Sequence, residues 1–188
     1  MIIDELREAT REVHKKLDNW LLPQFQQIKS AEKYAQILRA FYGFFKPVSD
    51  NIDEYVGKDI IADKEERRSA HSILEDLRAL GQPTDNIAIA SSTPHINDIA
   101  SALGAYYVLE GSTLGGVYLS KILADNMNIE PDEGLSFFYG YGKQSKDKWM
   151  AFIEQLNDFA EKSEKNEQIK TAAIETFAKF KEHLQQTI

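Results

Sequence analysis

Two sets of residues are suited to chemistry: one histidine near the N-terminus and a group of glycines near the middle of the chain. Of the four histidines, His71, His95 and His183 have polar or loop-like neighbours and are predicted to be solvated. His14 differs because it lies inside an apolar pattern of helical spacing. With Leu6 at zero on a helical wheel, His14 falls about 80° away. His14 is therefore predicted to lie on the shoulder of a buried stripe.

Two interpretations of His14 follow from this position. It is either a boundary histidine bonded to a neighbouring side chain or an imidazole ligand that faces a cavity. In the second case Arg7, two turns earlier on the same side of the helix, is a cation placed for an anionic group of the ligand. The chain has no cysteine and no Glu-x-x-His pair, which are common components of protein-built metal sites. These residues favour a metal that is brought in by a cofactor.

The glycines lie in a segment of otherwise helical pattern. Four of the ten glycines are Gly104, Gly111, Gly115 and Gly116, and in a helix interior they would cost roughly 3–4 kcal/mol relative to alanine. Gly111 and Gly115 are four residues apart and share a helix face. That face permits a tight helix crossing, a kink, or a flat ligand lying on the backbone. A phosphate loop is not indicated, because no Lys-Ser or Lys-Thr pair follows and no strand precedes.

The elements that must position these residues are helical in pattern. Apolar residues recur every three or four positions in six or seven segments, without convincing alternating strands or internal repeats. The glycine-bearing helix is predicted from about Asn97 to Met127, a loop from 82 to 96, a turn-rich connector from Pro131 to Gly142, and a kink near Pro47. The sequence therefore predicts an all-α bundle that forms one domain over residues 1–188.

Three local signals predict where helices begin and end. Ser30 is expected to cap the second helix, and Gly81 fits the position just after the end of the third. Asp63 followed by Glu66 predicts a capping box at the start of that third helix.

Composition excludes several classes of function. Lys and Arg total 22 against 30 Asp and Glu, a net charge of −8, which argues against nucleic-acid binding. The absence of cysteine excludes disulfides, thiol catalysis and cysteine-ligated clusters. The apolar run from Ala102 to Leu109 is far shorter than the roughly 20 residues of a membrane span. No signal peptide is visible, so a cytoplasmic location is expected.

Two motifs resemble the haem oxygenase family, especially its bacterial biliverdin-producing branch. The first is LREATREVHKKLD, residues 6–18, and the second is YYVLEGSTLGGVYLSKIL, residues 106–123. Weaker matches are RRSAHSILEDLRALG, residues 67–81, and GLSFFYGYG, residues 134–142. The resemblance covers essentially the whole chain, and the two motifs are more specific together than alone.

The resemblance implies a helical bundle with haem between the first, proximal helix and a glycine-rich, kinked distal helix. His14 would be the axial ligand of the haem iron, and Gly111, Gly115 and Gly116 would lie over the haem face. Haem would be both substrate and cofactor. It would be opened with O₂ to biliverdin, CO and ferrous iron, with electrons from an external donor such as a ferredoxin or a reductase.

The sequence departs from the family pattern on the distal side. Animal-type members carry an acid where this chain has Ser112, although related bacterial members also lack it.

A second departure concerns the haem propionates. Some members place two basic residues where this chain has Met150 and Glu154, which leaves Arg7 and Tyr106 as the matching rim groups. The nearby lysines are possible substitutes, at positions 143, 146 and 148.

These departures keep a second function open, a haem carrier or sensor without turnover. A third, the thiaminase-like branch with the same architecture, would need a nucleophile such as cysteine, and the chain has none.

Overall fold

The computed structural model describes residues 1–130 and 133–188 and contains only helices, turns and loops in them. These described residues form the α-helices α1 (Ile2–Gln26), α2 (Ala31–Asp53), α3 (His71–Ala79), α4 (Ile99–Met127), α5 (Ser136–Tyr139), α6 (Ser145–Ser163) and α7 (Asn166–Thr187), with 3₁₀ turns at Lys64–Glu66 and Gly142–Gln144. The predicted all-α bundle is confirmed, as is the loop over 82–96. None of the described helices is long and apolar enough to cross a membrane.

Helix α4 is the centre of the bundle and packs against α1, α2, α5, α6 and α7. Every residue from Ala100 to Glu110 is buried, so this half of the helix has neighbours on all sides, as expected of a core helix. Gly104 permits close contact with α7, since a Cβ there would collide with the carbonyl oxygen of Ile169. α4 runs as one helix, and the kink expected in it stays a prediction.

Two of the predicted helix ends are confirmed. The Ser30 side chain accepts a hydrogen bond from the Lys33 amide at 3.3 Å, which caps α2. Gly81 follows α3 with φ +68°, in the left-handed region that favours glycine.

The predicted capping box at Asp63 is wrong. α3 begins only at His71, and Asp63 makes no capping bond. Its carboxylate instead accepts from Arg67 at 2.8 Å and from Lys148 of α6 at 3.0 Å. The Asp63 side chain therefore forms an ion pair with the distant helix α6 instead of the capping bond that the local motif predicts. Pro131, where the connector was predicted to start, lies outside the described residues.

The prediction for His183 is also wrong. Its ring is buried against Phe44 on α2, with Nε2 2.9 Å from the carbonyl oxygen of Ala40. Gly43 leaves room for the ring, because a Cβ there would lie 3.2 Å from Nε2. Burial lowers the pKa of His183. The predictions for His71 and His95 are confirmed, since both are exposed.

Candidate functional site

A cleft of about 610 Å³ lies between α1 and α4. Its volume is in the range of small-molecule and cofactor sites. Aromatic side chains from four other parts of the chain form much of its wall: Phe41, Phe44, Phe45, Phe137, Phe138, Trp149, Phe177 and Phe180. Such a wall suits a large, flat, apolar ligand.

His14 lies in the α1 wall of this cleft. Its side chain is 57% exposed, and its ring lies on that of Phe177, with the centroids 5.1 Å apart. The Asp18 carboxylate, one turn later, is 3.4 Å from Nε2. Asp18 thus provides an acceptor for one ring nitrogen, and the other nitrogen can bind a metal.

Cations on α1 line the same cleft. Arg7, Arg11 and Lys15 follow one another at helical spacing around His14. Arg11 is paired with Glu8 at 2.9 Å, whereas no ion pair forms between Arg7 and any carboxylate of the described residues. This end of the cleft suits a ligand with anionic groups.

The glycines of α4 divide between two uses. Gly111 and Gly115 line the cleft. A Cβ at Gly115 would meet nothing within 4 Å, and one at Gly111 would only touch Trp149 at 3.4 Å. Gly116 does not line the cleft, and its Cβ would lie 2.4 Å from the carbonyl oxygen of Phe138. Gly111 and Gly115 therefore leave room in the cleft, as a ligand lying on the backbone would require. The expectation that Gly116 shares this ligand-facing surface is wrong, because Gly116 packs against Phe138 instead.

Ser112 also lines the cleft, and its hydroxyl is the acceptor of a guanidinium. Arg68 donates from Nη2 to Ser112 Oγ at 2.6 Å and to the Leu109 carbonyl at 2.7 Å. It also donates from Nη1 to the Phe137 carbonyl at 3.2 Å and lies 4.3 Å from the centre of the Phe137 ring. Burial lowers the pKa of Arg68, but an arginine keeps its charge at neutral pH. A cation therefore lies beside Ser112 in the wall of the cleft.

Arg68 was not among the residues predicted from the sequence. It follows Arg67 in a segment with no regular pattern, so nothing local distinguishes the two arginines. The only available signal was its place in the weakly matching 67–81 motif.

The structure does not bring Tyr106 to the cleft. Tyr106 is buried against Phe152 and lines a separate cavity of about 380 Å³. The cleft is lined instead by Tyr107, whose pKa is raised by burial and held down in part by Thr10 and Arg7. Adjacent helical residues point about 100° apart, and a helix buried on all sides gives no pattern that distinguishes them. The prediction that Tyr106 joins Arg7 at the rim of the ligand site is therefore wrong, because Tyr107 lines the cleft instead.

The lysines suggested as substitute rim groups lie elsewhere. Lys148 is paired with Asp63 at 3.0 Å and with Glu66 at 2.8 Å. Neither Lys143 nor Lys146 lines the cleft, and the same holds for Met150 and Glu154. The cations at the rim come from α1.

Comparisons with known proteins agree with this geometry. A family model described as Heme oxygenase matches residues 2–186. A curated Heme oxygenase of Xanthomonas campestris pv. campestris is 37% identical over 97 residues, which are 50% of this chain and 54% of that protein. The match thus spans about half the length of that relative.

Two solved structures have the same fold. A structure of the NO- and CO-bound heme oxygenase of Neisseria meningitidis superposes with a TM-score of 0.84 at 24% identity, covering 100% of this chain and 92% of that one. The heme oxygenase of Leptospira interrogans superposes with a TM-score of 0.75 at 19% identity, covering 98% of each chain.

Proposed function

Since the chain belongs to the haem oxygenase family, we propose that it opens haem to biliverdin with release of CO and ferrous iron. O₂ is the oxidant, and an external donor supplies the electrons. The observation that carries this proposal is the cleft that has His14 in one wall and Gly111 and Gly115 in the other. We place the reaction in the cytoplasm.

The residues of the cleft fit haem. Haem is a flat apolar ring with two carboxylates on one edge, so it needs an apolar slot, an axial ligand and cations at the rim. The aromatic wall, His14 and the α1 cations supply these three features. When bound, haem supplies the iron at which O₂ reacts and the ring that is oxidised.

His14 binds the iron through one neutral ring nitrogen in this proposal. The carboxylate of Asp18 lies close enough to hold the other nitrogen, at 3.4 Å in the structure. Such a partner fixes the tautomer and the orientation of a ligating imidazole and raises its basicity. Phe177 supports the same orientation through its contact with the ring.

The wall opposite His14, formed by α4, leaves space for the haem face and carries polar groups. Gly111 and Gly115 put no side chain over the haem face, so the α4 backbone can approach it closely. In this proposal the α4 backbone would limit the space for oxygen on this side of a bound haem.

Arg68 and Ser112 supply the polar groups on this side. The Ser112 hydroxyl donates to the Leu109 carbonyl at 2.7 Å and accepts from Arg68. An arginine has five N–H groups, and the three bonds to Leu109, Ser112 and Phe137 use three of them. Two N–H groups have no partner among the described residues, and we propose that they hold water at the cleft, which Arg68 lines, and that this water delivers protons.

Anchoring of the propionates falls to α1 in this proposal. Arg7 is the first candidate, with Arg11 and Lys15 beside it. A guanidinium can hold a carboxylate through two parallel bonds and so fix rotation of the ring in its slot. That rotation decides which meso carbon is cut.

The electrons come from another protein, of the ferredoxin or reductase kind. The chain has no cysteine, so it cannot ligate a cluster of its own through thiolates.

An absorption titration with haemin, followed by addition of ascorbate or a ferredoxin system under air, tests the proposed function. We expect a Soret-absorbing complex that converts to a bile pigment, identified as biliverdin by chromatography. A complex that persists unchanged would support the haem carrier instead, a function favoured by Ser112 at the position of the acid. Absence of any complex would contradict both functions.

A further inference from the structure

A buried carboxylate lies on the side of α4 that faces away from the cleft. Glu110 is 2% exposed, and it lines the separate cavity that also holds Tyr106. A buried charge is costly unless partners compensate it. Arg67 provides most of the compensation, with Nη1 2.7 Å from Oε2 of Glu110.

Tyr141 links this carboxylate to the segment that carries Arg68. Its hydroxyl donates to Glu110, from which both carboxylate oxygens are 3.1 Å away. The same hydroxyl accepts the backbone N–H of Arg68 at 2.7 Å. Tyr141 therefore bonds through one phenolic oxygen both to the backbone of Arg68 and to the carboxylate of Glu110.

The loop that carries Tyr141 is built for this placement. Gly140 and Gly142 flank it with φ values of +60° and +55°, a conformation that glycine adopts without strain. The loop lies against α4, since Thr113 is 3.5 Å from the position of a Cβ on Gly140. The Tyr141 hydroxyl is thus held close to α4 from the loop side.

Glu110 attracts Arg68 as well as Arg67. Although burial lowers the pKa of Arg68, the charge of Glu110 raises it. The guanidinium of Arg68 nevertheless bonds to Ser112 and to two carbonyls, and it forms no ion pair with a carboxylate of the described residues. Glu110 accepts hydrogen bonds from Arg67 and Tyr141, and Arg68, which lines both the cleft and the cavity of Glu110, keeps its guanidinium on Ser112.

We propose that Tyr141 is a positioning residue that keeps the Arg68 guanidinium on Ser112, by holding the Arg68 backbone and by occupying Glu110. This inference rests on the proposed function, because it concerns the hydrogen-bond donors that a haem in the cleft would meet. Without the Tyr141 hydroxyl, Glu110 loses one of its donors and the Arg68 backbone loses its acceptor, so Arg68 turns toward the carboxylate. The cleft then loses a cationic donor, although Tyr141 itself does not line it.

Fluoride binding to the ferric haem complex tests this inference without turnover. Fluoride is a strong hydrogen-bond acceptor, so its affinity reports a donor on that side of the haem. We expect Tyr141→Phe to weaken fluoride binding about tenfold, as for the loss of one hydrogen bond to a charged group. The control is Tyr139→Phe, which removes a hydroxyl two positions earlier, from the last residue of α5, where the residue is 38% exposed. It should bind fluoride as the parent does.

The double variant Tyr141→Phe with Glu110→Gln separates positioning from general damage. With the charge at 110 removed, Arg68 has no carboxylate to turn toward, so fluoride affinity should return to within about twofold of the parent. A merely structural role for Tyr141 predicts no such rescue. Fluoride affinity in Tyr141→Phe equal to that in Tyr139→Phe would overturn the inference. If Tyr141→Phe alone does not fold, weak fluoride binding by the double variant would overturn it instead.

Failure of this inference is distinct from failure of the proposed function. A parent protein that forms no haem complex contradicts the proposed function before any variant is compared. A crystal structure of the haem-free Tyr141→Phe protein gives a reading that needs no haem. We expect its Arg68 guanidinium at the Glu110 carboxylate, and a guanidinium that stays on Ser112 would overturn the inference.

Discussion

The two sides of α4 are built in opposite ways. Toward the cleft the helix presents Gly111 and Gly115, with open space in front of Gly115. On the other side it presents Glu110, which is buried and bonded to Arg67 and Tyr141. The comparison shows that one helix can hold an open surface for a ligand because its other side is fixed by packing and buried ion pairs. Function on the first side and stability on the second should therefore respond to different substitutions.

The largest effect is expected from loss of His14, the proposed iron ligand, on the wall opposite α4. His14→Ala should abolish the histidine-ligated ferric haem spectrum, and free imidazole should restore it. His71→Ala is a matched control, because His71 is exposed on α3 and its ring is paired with Glu75 at 3.7 Å, away from the cleft. An unchanged spectrum in His14→Ala would remove His14 from the site.

A side chain at Gly115 should block the open surface without weakening the bundle. Gly115→Leu is expected to cut biliverdin production strongly, because the side chain enters the open space of the cleft in front of α4. Leucine is the better helix former, so thermal unfolding should not occur at a lower temperature. Lys121→Leu adds the same side chain at an exposed position of α4 and should keep activity. Normal activity in Gly115→Leu would leave Gly115 with no role in the cleft.

On the other side of α4, loss of Arg67 should affect stability first. Arg67→Leu leaves Glu110 buried without its main partner, which should lower the free energy of unfolding by about 3–5 kcal/mol. Arg11→Leu breaks an exposed pair with Glu8 and should cost about 0–1 kcal/mol. Urea titration of both variants makes this measurement. Equal costs for the two substitutions would contradict the assignment of the buried pair to stability.

Alanine substitutions at two adjacent glycines of α4 should change the free energy of unfolding in different directions. Gly116→Ala forces a methyl group against the Phe138 carbonyl and should cost about 1–3 kcal/mol. Gly115→Ala meets open space and should be neutral or stabilising by up to about 1 kcal/mol. Thermal or urea unfolding distinguishes them. Two alanine variants of the same stability would mean that both glycines face open space.

The smallest effect on affinity is expected at the rim. Arg7→Ala should weaken haem binding by only about 1 kcal/mol, because the rim is open to water. Its effect on product should be clearer, with a more mixed set of biliverdin isomers. Tyr106→Phe is the matched control, since Tyr106 lies in the other cavity. Chromatography of the extracted bilins measures this, and an unchanged pattern in Arg7→Ala would place the anchor at Arg11 or Lys15.

Much of the fold was predictable because helical periodicity and caps are local. Ser30 and Gly81 act within one turn of their own helices, so the sequence alone indicated them. Asp63 and His183 could not be placed in this way. Their partners, Lys148 and Ala40, come from distant elements, and no local pattern encodes such a meeting.

The candidate site was predicted in part for the same reason. His14 lies on an amphipathic helix, where a wheel gives the direction of a side chain. Tyr106 lies on a helix buried all round, where a wheel cannot tell it from Tyr107. Arg68 lies outside any regular element, and its bonds to Ser112, Leu109 and Phe137 exist only once α4 and the 136–144 segment have packed together.

A crystal structure of the protein with haemin tests the central claim most directly. We expect the iron bonded to a ring nitrogen of His14 and the haem plane between α1 and α4. Gly111 and Gly115 should lie over one face, and the propionates should point toward Arg7. Haem bound in the cavity beside Glu110, or in the cleft without a bond to His14, would contradict the account.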